Sequence, residues 1–200
     1  RAVTVITAAG ESSAMGFHTF DPDRAENLDD ESRYRWCSIE ELVSLLTPEP
    51  DDELADLGSG TGFYTDPIAE RVGQVHAVDV QPEMHAMYED KGIPDNVRPV
   101  TAEVADLPFD DGALDGVFST MTYHEFSGAE AMAEIARVLR PGGRVVFVDW
   151  DKNGAGDGGS VPEERHELGH AVSALGAAGL TVDHAVFRTE TFVCRARKLE

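Results

Sequence analysis

Asp56-Leu57-Gly58-Ser59-Gly60-Thr61-Gly62 follows the apolar start of a strand and runs into a segment with helical spacing. A strand that ends in an acid and opens into three glycines brings bare backbone to the carboxyl edge of a sheet, where open α/β folds take their ligands. Glycine removes the side chain from a close approach and tolerates the turn geometry. The expectation is a ligand lying against the main chain at this turn.

Outward from the turn, apolar runs and helical periods alternate. They predict strand 53–57, helix 63–72, strand 75–79, helix 82–90, strand 97–100, strand 114–120, helix 128–139 and strand 144–149. Such alternation indicates a doubly wound α/β fold, a parallel sheet with helices on both faces. Helix 163–178 then leads to strands 180–187 and 190–197. Their very short connection predicts an antiparallel hairpin at the C-terminal sheet edge, making seven strands, mostly parallel. The glycines of Asp151 to Ser160 read as a loop, because too little chain follows for a second core. Before the core, Tyr34, Trp36, Ile39, Leu42, Val43, Leu45 and Leu46 recur at nearly helical spacing until Pro48 and Pro50, predicting one helix from Asp29 to Leu46 that covers the main domain. The expected organisation is an arm or extension over 1–14, a helical cap over 15–50, a core over 51–198 and a cloning scar at 199–200.

Two other glycine motifs fail. The dinucleotide fingerprint needs a third glycine or alanine where Phe63 stands, and no Lys-Ser/Thr pair follows the glycines to hold a triphosphate. Asp56 ahead of the turn suits instead a cationic, phosphate-free ligand.

The segment Asp56 to Gly62 resembles motif I of the class I S-adenosylmethionine-dependent methyltransferases. Four further segments agree in order. Asp79 stands where the family's acid holds the two ribose hydroxyls. Glu103-Val104-Ala105-Asp106-Leu107-Pro108-Phe109 resembles an Asp-x-x-x-Leu-Pro-Phe segment, with Glu103 replacing the acid that meets the adenine amino group. Leu114 to Thr120 resembles motif IV, and Arg137-Val138-Leu139-Arg140-Pro141-Gly142-Gly143 the turn into the fifth strand. The resemblance implies a Rossmann-like fold, S-adenosyl-L-methionine as cofactor, and cofactor contacts from Asp56, Gly58, Ser59, Gly60, Gly62, Asp79, Val80, Glu103, Val104 and Thr120. It also implies that Val80 and Leu107 sandwich the adenine.

Methyl transfer is a displacement at carbon that mainly requires alignment, and a base is needed only when the acceptor must lose a proton. Beyond motif IV, His124 is the candidate base, with packing or orientation as its other reading, and Tyr123 is a second candidate. Asp149 and Trp150 at the end of the fifth strand are expected to face the acceptor by charge and ring stacking, and His18 of the cap is a further candidate contact.

Composition narrows the acceptor. The net charge of -22 disfavours nucleic acid, and the arginine groups Arg137, Arg140, Arg144 and Arg195, Arg197 are short. A small-molecule acceptor is favoured; a cofactor-binding regulatory module and an RNA or protein acceptor stay open. Dispersed acids with only three lysines resemble halophilic proteins. Cys37 and Cys194 match no metal or redox spacing, and no run approaches the roughly 18 to 20 apolar residues of a membrane helix. The expectation is a cytoplasmic protein without a metal.

Overall fold

In the computed structural model, residues 28–199 are described. Seven strands, β1 Glu53–Leu57, β2 Gln74–Asp79, β3 Val97–Thr101, β4 Leu114–Thr120, β5 Leu139–Trp150, β6 Leu180–Phe187 and β7 Thr191–Lys198, form one sheet in the order β3-β2-β1-β4-β5-β7-β6. The first five are mutually parallel; β7 runs antiparallel to both β5 and β6. This is the expected Rossmann-like sheet. The chain order reverses between β1 and β4, the place where such sheets open a ligand crevice at their carboxyl ends.

Strand residues alternate between two buried layers. Ala55, Val117, Val145 and Phe147 point into a core closed by α4 Ala129–Val138 and α5 Leu168–Ala177. Leu54, Phe118, Val146 and Val148 point into the opposite core, under α1 Ile39–Leu46, α2 Thr65–Ala69 and α3 Pro82–Lys91. Burial on both faces explains why these strands read as nearly continuous apolar runs.

The helix expected over 63–72 is shorter, Thr65–Ala69, and three further boundaries differ from the sequence reading. The helix expected over 29–46 is two pieces: a 3₁₀ turn, Glu31–Arg35, and α1. Ser38 separates them because its Oγ accepts the Glu41 N–H at 3.2 Å, capping a new helix start. The helix expected over 163–178 begins at Leu168, whose N–H donates to the buried Asp151 carboxylate at 3.0 Å. Strand β5 begins at Leu139, which pairs with Leu114; the ladder then skips to Gly116 with Arg144, so residues 140–143 loop outward, with Gly142 at φ 80°. Arg144 is buried and bonds to Leu46 O, Thr47 O and Asp52, tying the end of α1 to the amino edge of the sheet.

Candidate active site

The glycine turn sits at the carboxyl end of β1, held to β2 by the Gly58 and Ser59 N–H groups, which both donate to Val78 O at 2.8 and 3.0 Å. Gly58, Gly60 and Gly62 have φ of 75°, 54° and 82°, a region where only glycine is unstrained. The expectation that these glycines leave room for a ligand needs correction at two of them. A Cβ on Gly58 would lie 2.3 Å from Thr122 Cγ2, and one on Gly62 would lie 2.1 Å from the Tyr88 ring. Protein side chains fill both spaces.

Asp56, 1 % exposed, is the most confined acid of the turn. Its Oδ2 accepts the Thr65 hydroxyl at 2.7 Å. Among the described residues, its Oδ1 has no partner, and neither does the buried Ser59 Oγ. Burial pushes the Asp56 carboxyl up to about 7, against the Thr65 hydrogen bond, with the charge of Asp79 adding to the rise. Buried polar atoms without partners are rare in folded proteins. Two on one turn fit a ligand that brings hydrogen-bond donors and positive charge, so the residues here suit S-adenosylmethionine.

Asp79 ends β2 with its carboxylate accepting the Gly60 N–H at 2.9 Å and the Gln81 N–H at 2.9 Å. Each oxygen keeps a further lone pair for a hydroxyl. Val80 beside it is 40 % exposed, as an apolar surface for a ring requires. Glu103 is exposed and lines a depression of about 410 Å³ with Thr101, Ala102, Asp106 and Pro108. Val104 is buried behind it. Leu107, 3 % exposed, belongs to the core beneath α4 and does not offer a face to a ring as expected. A larger groove of about 580 Å³, bordered by Thr47, Pro50 and Arg71, lies at the amino edge of the sheet, away from all these groups.

Beyond β4, the buried Thr120 is followed by Met121 at φ 62°. A non-glycine residue in this region is strained by roughly 1–2 kcal/mol, and it turns the chain across the end of β5, to which its N–H donates at Val148 O, 2.7 Å. The 3₁₀ turn Tyr123–Glu125 follows. Tyr123 is fully buried among Phe126, Phe147 and Phe192, and its hydroxyl meets His170 Nδ1 at 2.9 Å. It is a core residue, which corrects its reading as catalytic.

Asp149 is also corrected. It is fully buried, and its Oδ2 accepts the His124 N–H at 2.7 Å while the ring Nδ1 lies 3.1 and 3.0 Å from its two oxygens. Its charge therefore acts on His124 rather than on an acceptor. Burial lowers the His124 pKa, but the hydrogen bond and charge of Asp149 outweigh it and the net shift is upward. Glu125 beside it is pushed up to about 7 by burial, with His124 opposing and Asp79 and Asp149 adding.

Trp150 is 7 % exposed, covered by Gly159, where a Cβ would lie 2.1 Å from its ring, and by Trp36, whose ring meets it edge-on at 5.2 Å. Its indole is packed and not open for stacking. His18 lies outside the described residues. Thr65 was missed; its place in the first helical turn after the glycines was the signal.

The two short arginine groups are neutralised and form no basic stripe. Arg137 pairs with Asp111 and Glu134, Arg140 with Asp115, and Arg144 with Asp52. Arg195 and Arg197 share Asp183 at 2.7 and 2.9 Å.

Residues 55–147 match the family model described as a methyltransferase domain. An uncharacterised methyltransferase of Mycobacterium tuberculosis is 39% identical over 109 residues, 54% of this chain and 44% of its own length. The ubiquinone/menaquinone biosynthesis C-methyltransferase of Idiomarina loihiensis is 33% identical over 108 residues, 50% of this chain and 43% of its own. The chain thus spans less than half the length of these curated relatives. The crystal structure of a SAM-dependent methyltransferase from Aquifex aeolicus superposes with a TM-score of 0.82 at 29% identity, covering 90% of this chain and 100% of that one.

Proposed function

Because this chain belongs to the class I S-adenosylmethionine-dependent methyltransferases, we propose that it transfers a methyl group to a small-molecule acceptor that gives up a proton as it is methylated. The observation that carries this reading is His124 held by the buried Asp149 at the crevice, with its second ring nitrogen left over. When bound, S-adenosylmethionine supplies an electrophilic methyl group on a sulfonium.

The chain's own residues do the rest. Asp56, Ser59 and the turn backbone hold the amino-acid end, Asp79 the ribose, and Val80, Glu103 and Val104 the adenine. Thr120 and the turn at Met121 set the floor of the transfer site. Asp149 fixes Nδ1 of His124 as the donor, which leaves Nε2 as the atom that takes the acceptor's proton, the arrangement in which a carboxylate selects one imidazole tautomer. The contact of Trp36 with Trp150 narrows the carboxyl edge, and the paired arginines present no stripe for nucleic acid. Both support a small acceptor, as does the activity for which the Idiomarina relative is named.

Two experiments test the proposal. Calorimetry with S-adenosylhomocysteine is expected to show binding, and its absence would sink the cofactor reading. Incubating the protein and methyl-labelled cofactor with a desalted, fractionated cell extract is expected to label a small molecule. Label confined to RNA or protein would overturn the acceptor class, and normal binding with no label in any fraction would favour a regulatory module.

A further inference from the structure

The segment that carries His124 is gripped by two further histidines that the transfer step does not use. The rings of His166 and His170 stack at 4.1 Å between centres and 14° between planes. Each reaches one end of the segment: His170 Nδ1 meets the Tyr123 hydroxyl at 2.9 Å, and His166 Nε2 meets Ser127 Oγ at 2.7 Å. Tyr123 immediately precedes His124, and Ser127 stands three residues beyond it. The Tyr123 ring joins the pair, 6.0 Å from His166 and 6.2 Å from His170.

His166 is itself fixed to the sheet. It bridges to Asp151, directly after β5, and its carbonyl accepts the Lys152 N–H at 3.1 Å. On one side of it the buried Arg165 pairs with Glu190 at 3.6 Å, and on the other Leu168 donates to Asp151. The Ser127 contact therefore ties the far end of the segment to a loop anchored on β5, while Asp149 and the burial of Tyr123 hold the near end.

The protonation states suit this arrangement. Burial holds the His166 pKa below the ordinary histidine value; His170 acts in the same sense, Asp149 opposes, and His124 and Lys152 add to the lowering. A neutral His166 can accept the Ser127 hydroxyl at Nε2. Burial raises the Tyr123 phenol above its ordinary value, so its hydroxyl stays protonated and can donate to Nδ1 of a neutral His170. A group that takes a proton must stay within hydrogen-bond reach of it, and a misplacement of about 1 Å can cost about a hundredfold in rate.

We propose that His166 is a positioning residue for the transfer step: stacked on His170 and anchored beside β5, it holds, through Ser127, the segment that presents His124 to the acceptor. The inference rests on the reading of His124 as the group that takes the acceptor's proton.

The test is nitrogen-15 NMR of histidine-labelled protein across a pH titration, with the His124 signals assigned by their loss in His124→Gln. The charges that act on His124 are those of Asp149, Glu125 and Glu164, and Ser127→Ala alters none of them. In Ser127→Ala the His124 pKa is expected to fall toward the ordinary histidine value and its two neutral tautomers to mix, because the Asp149 contact loosens. His166→Leu is expected to do the same, although losing a neighbouring cation would by itself raise that pKa, and His166→Gln, whose amide can still reach Ser127, to recover part of the shift. With the labelled acceptor, kcat is expected to drop by about tenfold in Ser127→Ala, with S-adenosylhomocysteine affinity within about twofold of wild type by calorimetry and an unchanged melting temperature as the check on folding. An unmoved or raised His124 pKa in both Ser127→Ala and His166→Leu would overturn the proposal. A lowered pKa with an unaltered transfer rate would instead overturn the base role of His124 on which the proposal rests, a result distinct from the first.

Discussion

Asp56 is expected to make cofactor binding depend on pH. Because burial lifts its carboxyl to about 7, it is largely protonated below that pH, while an ammonium-bearing ligand prefers the ionised form. Affinity for S-adenosylhomocysteine is expected to fall as pH drops from about 8 to about 6, with proton release on binding at the lower pH. Calorimetry in two buffers of different ionisation enthalpy measures both. In the free protein the sign is opposite. The folded-state value lies above the unfolded one, so this group's stabilising contribution is complete below about pH 4 and is lost as pH rises through about 7. Asp56→Asn is expected to flatten that part of a melting-temperature profile.

His124 gives the second residue-scale prediction. With its pKa raised by Asp149, the rate on the labelled acceptor is expected to climb with pH through a value above the ordinary histidine pKa, as the imidazole becomes neutral. Asp149→Asn removes the charge and the tautomer preference. It is expected to move that limb to lower pH and to cut kcat by about a hundredfold, with S-adenosylhomocysteine affinity unchanged by calorimetry. An unaltered pH profile would leave Asp149 a structural residue only.

Among the elements, the turn after β1 is where packing and function are hardest to separate. Gly62→Ala meets both a left-handed φ and the Tyr88 ring, whereas Gly142→Ala meets a left-handed φ in open space. The first is expected to cost about 2 kcal/mol or more, lowering the melting temperature by roughly 4–8 °C, and the second to cost about half as much. Thermal denaturation of the two variants distinguishes them; equal losses would show that strain alone, and not Tyr88, fixes Gly62.

That comparison marks how far the sequence can be read. Strands β1 and β4 occupy the residues expected from apolar pattern, because a strand buried on both faces has little freedom in its ends. The break at Ser38 was harder to see, since apolar spacing continues across it while a single hydroxyl restarts the helix. Asp56 and Asp79 announced themselves by position at the carboxyl end of a strand. Tyr123, Asp149 and Trp150 did not, because a residue at a strand end faces either the crevice or the core, and the choice depends on partners from distant segments: His170 for the tyrosine, His124 for the aspartate, Trp36 for the indole.

For the whole molecule, the dominant property is a net charge of -22. Its larger arginine groups are already paired, so the excess is unopposed surface acid that repels itself. Raising salt from about 0.1 M to about 2 M shortens the screening length from about 10 Å to under 3 Å, and the melting temperature is expected to rise over that range. A flat or falling curve would remove the halophilic reading. Among the described residues, no helix is long and apolar enough to cross a membrane.

The edge-on contact of Trp36 and Trp150 joins the cap to the end of β5, and the sequence contains only two tryptophans. All indole emission from this protein therefore comes from one junction. Intrinsic fluorescence is a label already in place: a change of intensity or wavelength on adding a ligand reports how tightly the cap meets the sheet, with no dye and no acceptor in hand.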